Sequence, residues 1–272
     1  MMSLGRKRIE AESCISRREA LFSGVASLAV FGISGCKSTI QGHESAALKG
    51  SATVSKFGIL DDSRDVRLVK LARPGGISIE VSELGATVNS IRLGPSKPSL
   101  VLGYKSFEEY ANDPRYMCSL VGRVANRIAN GSFEIDGQTY QASKNRDGDC
   151  LHGGFVGFNK KLWEIQAISD VPYPSVKMGF VSPHLDEGFP GQLSSSVRFS
   201  LPERNTIRIE IHAVSDRPTP VNMTHHFYFN LGADLEDDIL QHQLKIAGSR
   251  YTPITPGAIP TGEIAPVDST PF

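Results

Sequence analysis

Residues 122–163 read GRVANRIANGSFEIDGQTYQASKNRDGDCLHGGFVGFNKKLW, and the short β signals within them decide the fold class. Phe133 and Ile135 alternate with polar residues and run into Asp136-Gly137, after which Tyr140 follows. Asp-Gly between such runs marks a hairpin, because both residues tolerate the positive φ of a tight two-residue turn. Further out, the same period of two recurs at Ile77, Ile79 and Val81, at Val176, Met178 and Phe180, at Val197, Phe199 and Leu201, and at Ile207, Ile209 and Ile211. That period puts each set on one face of a half-buried sheet. Pro202-Glu203-Arg204-Asn205 separates the last two sets. Only residues 107–111 and 235–239 read as short helices. Closely spaced strands with turn clusters between them predict an all-β sandwich or barrel.

The 272 residues suit one large domain or two small ones. Lys+Arg and Asp+Glu both number 29, so no global field favours nucleic acid or an acidic partner. The N-terminus departs from this ordinary composition. Arg6, Lys7 and Arg8 open it, Arg17-Arg18 follows, and a mildly apolar run ends at Ile33-Ser34-Gly35-Cys36. A basic head, a short apolar segment and small residues describe an export signal over residues 1–35. The paired arginines resemble a twin-arginine signal, and ISGC resembles a bacterial lipobox whose Cys36 is lipidated. Residues 36–55, rich in Ser, Ala, Gly and Lys, read as a flexible tether from a membrane anchor to a domain over 56–272. The expected location is the periplasm or cell envelope. Such a compartment permits a Cys118–Cys150 disulfide, and two small buried thiols are an equal alternative.

Several positions carry chemistry. Asn126-Arg127 lies between glycines, and an Arg beside a strand can fork two hydrogen bonds onto hydroxyls or a carboxylate. His152-Gly153-Gly154 sets an imidazole at the edge of a backbone that can pass close to a ligand. His225-His226 point to opposite faces if extended, so one can line a cleft. Adjacent strand histidines do not converge on a metal, and even with His212 and His242 no HxH or HExxH spacing appears, so no metal site is expected. Asp186-Glu187-Gly188-Phe189 is a turn-rich acidic loop that either is solvated or lines a cleft with Phe189 as a stacking platform. GxSxG, Walker and GxGxxG motifs are absent. Together the Asn-Arg pair and the histidines suggest a sugar site with imidazole acid–base chemistry.

Taken in order, GRVANRIANGSFEIDGQTYQ, LHGGFVGFNKKLWE, DEGFPGQL, NMTHHFYFNLGA and YTPITPGAIPTGEI resemble the signatures of the aldose 1-epimerase, or galactose mutarotase, family. The resemblance covers residues 57–272. It implies a large antiparallel β-sandwich of the mutarotase supersandwich type, a free monosaccharide of glucose or galactose type as substrate, and no cofactor. It implies interconversion of α and β anomers by acid–base ring opening and closure. Carried over by motif, His226 is the acid at the ring oxygen and His152 polarises the same region. Arg127 holds substrate hydroxyls with Asn126 beside it. His225 stands where the family more often has Asn. The family's general base, a Glu, and a binding Asp follow the segment matching Pro260-Thr261-Gly262-Glu263, so the resemblance implies that C-terminal strands and the base are missing from these residues. The alternative reading is a non-catalytic carbohydrate-binding lipoprotein or an inactive fragment.

Overall fold

In β1 (Ser51–Ile59) nearly every side chain touches solvent, whereas β2 (Asp65–Ala72) and β3 (Ser78–Ser82) bury one face and β4 (Thr87–Arg92) buries Thr87, Val88, Ser90 and Ile91. These four form an antiparallel sheet in chain order, with β1 at one edge. The computed structural model describes residues 50–232, 238–268 and 270, all within one unit spanning 45–272. The export segment, Cys36 and the tether up to residue 49 lie outside the described residues, as does most of the stretch 235–239 read as a helix. The last five tether residues, Ser51 to Ser55, are part of β1. Ser51, Thr53 and Ser55 alternate with Ala52 and Val54, but Val54 is 46% exposed on this edge strand, so the small residues resemble a tether.

The one α-helix among the described residues, α1 (Phe107–Ala111), is five residues long. A capping box holds it: Ser106 accepts from the Glu109 N–H while Glu109 accepts from the Ser106 N–H. Phe107 and Tyr110 anchor it over Val66, Leu84 and Met117. After it come two-residue strands β5 (Leu120–Val121) and β6 (Arg127–Ile128), then β7 (Ser132–Ile135) and β8 (Gln138–Gln141). Asp136 and Gly137 join β7 to β8 with φ of 50° and 76°, the two positive values that a type I′ turn demands. β9 (Cys150–Leu151) follows.

The second large sheet is β10 (Glu164–Ser169), β11 (Ser175–Ser182), β12 (Leu193–Ser200) and β13 (Arg208–Ser215), again antiparallel and in chain order. Val69, Leu71, Ile79 and Val81 from the first sheet and Val176, Met178, Val197 and Phe199 from the second belong to one buried cluster, which also holds Trp163. This is an antiparallel β-sandwich, as the alternation predicts. β14 (Thr224–His225), β15 (Arg250–Tyr251) and β16 (Ala265–Pro266) are two-residue pieces. Cys118 and Cys150 are free, buried thiols. Burial pushes both thiols up to about 11, which fits the inert alternative.

Candidate active site

Two short pairings assemble the site around residues 116–128. Arg127 of β6 pairs with Leu151 of β9, which places Asn126 against His152. The Asn126 carbonyl accepts from the His152 N–H at 2.9 Å, and the Asn126 N–H donates to His152 Nδ1 at 3.0 Å. His225 of β14 pairs with Leu120 of β5. This fixes His226 between the Ser119 carbonyl, which accepts its N–H at 2.9 Å, and the Cys118 N–H, which donates to its carbonyl at 3.1 Å. The two histidines thus meet across a long sequence separation, with ring centroids 5.1 Å apart and planes at 90°. Tyr116 lies edge-on to His152 at 4.6 Å and stacked near His226 at 5.9 Å. Tyr228 stacks on the His226 ring at 5.0 Å.

The geometry fixes one tautomer. His152 Nδ1 accepts from a backbone N–H, so the neutral ring carries its proton on Nε2. Burial, together with His226, Arg127 and Arg146, pushes His152 down to about 4. It is therefore a neutral Nε2–H donor at neutral pH. His226 Nδ1 is buried and has no hydrogen-bond partner. Arg127 donates from Nη1 to Asn126 Oδ1 at 3.2 Å, and Asn126 sits at a φ of 60°. Beside the pair, Tyr116, Asn145, Phe155, Asn159 and Lys160 border a cleft of about 150 Å³.

The loop after His152 explains its glycines. His152, Gly153 and Gly154 have φ of 49°, 90° and 109°. A Cβ on Gly153 would run into the Gly122 carbonyl, and one on Gly154 into the Glu187 carboxylate.

His152, His226, Arg127 and Asn126 are brought together. His225 turns the other way: its Nε2 donates to the Ala86 carbonyl at 2.9 Å and its ring packs between Phe199 and Phe227. His212 lies exposed on β13, and His242 accepts from the Leu231 N–H at 3.3 Å. Phe189 does not serve as a stacking platform. It is fully buried against Phe133, ring centroids 5.6 Å apart, because the turn at Asp186–Gly188 sends it inward. The sequence reading missed Tyr116, Asn145 and Arg146, whose places depend on long-range pairing. It also missed Arg123, which is buried and donates to Ser182, Pro183, Pro190 and Thr219. Only the GR pair at the head of the quoted stretch hinted at that residue.

A family description, aldose 1-epimerase, matches residues 67–272. The chain belongs to the aldose 1-epimerase family. A galactose mutarotase of Rattus norvegicus is 35% identical over 226 residues, covering 82% of this chain and 61% of that one. An aldose 1-epimerase of Escherichia coli (strain K12) is 36% identical over 214 residues, covering 78% and 61%. The chain therefore spans about three-fifths of the length of these aldose 1-epimerase relatives. A galactose 1-epimerase structure from Lactobacillus acidophilus NCFM superposes with a TM-score of 0.71 at 25% identity, over 81% of this chain and 64% of that one. An aldose epimerase homologue from C. elegans gives 0.68 at 28% identity, over 75% and 62%. The sandwich and its mutarotase-like topology thus agree with what the family resemblance implied.

Proposed function

We propose that this protein acts as an aldose 1-epimerase, interconverting the α and β anomers of a free aldohexose. The observation that carries the reading is the meeting of His152 and His226, ring centroids 5.1 Å apart, with Tyr116 against both rings and at the border of the neighbouring cleft. In the reaction a base takes the C1 hydroxyl proton and an acid protonates the ring oxygen. The C1–O5 bond breaks, the aldehyde turns about C1–C2, and the ring recloses on the other face with the protons returned. His226 is the acid at the ring oxygen. His152, held neutral with Nε2–H outward, donates a hydrogen bond to the same oxygen as negative charge builds there. Arg127 and Asn126 bind hydroxyls of the sugar. Among the described residues no carboxylate hydrogen-bonds to either ring, so the proton-accepting group on the far side of the hemiacetal is a further requirement of this reaction.

Polarimetry of freshly dissolved α-glucose and α-galactose tests the reading. The purified protein should speed the relaxation of optical rotation above buffer, and His226→Ala should lower kcat by about 10²–10⁴-fold while the protein stays folded. Folded, soluble protein that leaves the relaxation at the buffer rate overturns it.

We further propose export and lipidation at Cys36, supported by the basic head, the apolar run and ISGC. Metabolic labelling with a radiolabelled fatty acid should mark the protein and not its Cys36→Ala variant. Equal labelling of both, or of neither, counts against the anchor.

A further inference from the structure

The acidic turn Asp186–Gly188 does something that its composition does not suggest. The Glu187 carboxylate reaches across to the loop after His152. Its Oε2 accepts the Phe155 N–H at 2.9 Å, and its Oε1 accepts the Val156 N–H at 2.9 Å. Gly154 lies against the same carboxylate, closer than any side-chain-bearing residue allows. The turn is itself held from behind, because the Glu187 carbonyl accepts the Ser143 N–H at 3.0 Å. From the other side Asn145 donates to the Leu151 and Gly154 carbonyls at 2.9 and 2.7 Å and accepts the Leu151 N–H at 2.7 Å.

We propose that Glu187 is a positioning residue of the site: by clamping Phe155 and Val156 it holds the loop whose first residue is His152, and so keeps the His152 ring on Asn126. The need is physical. His152 has a left-handed backbone, which a non-glycine residue adopts at a cost, and the two glycines after it supply no side chain to fix the loop. Phe155 and Val156 are exposed, so their side chains do not anchor it. A carboxylate offers acceptors at both oxygens, whereas an amide offers one acceptor and one donor. Gln in place of Glu187 therefore satisfies one N–H and confronts the other with a second donor. The clamp acts by geometry: the Glu187 charge is felt at Cys150 and is not among the groups that shift His152.

This inference rests on the reading that His152 takes part in catalysis, but its test does not need sugar turnover. Glu187→Gln and Gly154→Ala attack the same contact from its two sides. Both are compared with the unaltered protein by amide hydrogen exchange and by the imidazole ¹⁵N shifts of His152. In each variant the Phe155 and Val156 amides should exchange at least about tenfold faster, the equivalent of one lost hydrogen bond. The His152 shifts should move from a pure Nε2–H tautomer towards an average of the two. The double variant should be no worse than Gly154→Ala alone, which also carries the strain of a 109° φ, as expected for one shared contact. In turnover, kcat should drop about tenfold with KM little changed. Faster amide exchange with an unaltered His152 tautomer overturns the proposal, as do unaltered amides. If the unaltered protein shows no mutarotation yet the tautomer responds, the clamp stands and only the functional reading falls.

Discussion

Neighbouring His225 and His226 show how one step along an extended chain separates two fates. His226 meets His152, while His225 enters a pocket of Ala86, Phe199 and Phe227 with Nδ1 buried and unpartnered. Burial pushes His225 down to about 4, opposed only by its bond to Ala86. An unfolded histidine binds its proton near pH 6.5. Between about pH 6.5 and about 4, therefore, the unfolded chain holds a proton that the folded chain refuses. The stability this residue confers is intact above that window and lost as the pH falls through it. Acidifying from pH 7 to pH 5 should cost up to about 2 kcal/mol through His225. Urea unfolding of the unaltered protein and of His225→Asn at the two pH values checks this. The Asn variant should show a smaller acid loss by roughly that amount, and equal losses in both proteins would rule out His225 as the source.

At the level of elements, the two sheets are tied at Glu83, which is almost wholly buried. Its carboxylate accepts the Arg67 N–H at 2.9 Å, the Arg67 side chain and the Ile165 N–H at 3.3 Å, while its carbonyl accepts the Trp163 N–H at 2.8 Å. This links the start of β2 to the start of β10. Removing the carboxylate leaves backbone donors and an arginine without their partner. Glu83→Ala should lower unfolding stability by about 3 kcal/mol, read from the urea midpoint at unchanged m-value. A loss below about 1 kcal/mol would mean that water replaces the carboxylate and the tie is dispensable. Local rules were legible in the sequence where the physics is local. Asp136-Gly137 forces positive φ by itself, and alternation betrays β3, β11 and β12 because each packs one face on a shared core. The pairings of β6 with β9 and β14 with β5 were not legible, since two residues carry no period. Those pairings decide which residues meet His152 and His226. Hence the histidines and Arg127 were found through their motifs, while Tyr116 and Arg146 were not.

For the whole molecule, stability is concentrated in one part of the chain. Among the described residues the three buried clusters draw on residues 52 to 228. In residues 238–268 no residue is buried, and Leu240, Leu244 and Ile246 are 79%, 86% and 72% exposed. The regular structure there is the pairing of β15 with β16, two residues on each side. Opening this segment breaks few contacts, so its local unfolding should be far less costly than that of the sandwich. Two tryptic sites fall in it. Arg250 is in β15 and donates to the Ile264 carbonyl at 2.7 Å, whereas Lys245 lies in the unpaired run before it. Lysines and arginines within the sheets require sub-global opening before a protease can seat them. Brief trypsin digestion under native conditions should therefore cut after Lys245 before any site in β10 to β13. The fragment left behind should unfold cooperatively with its Tm within about 2 °C of the intact chain, because among the described residues the cut removes no buried side chain. First cleavage within β10 to β13, or a Tm lowered by much more than this, would show that residues 238–268 cover and stabilise the sandwich.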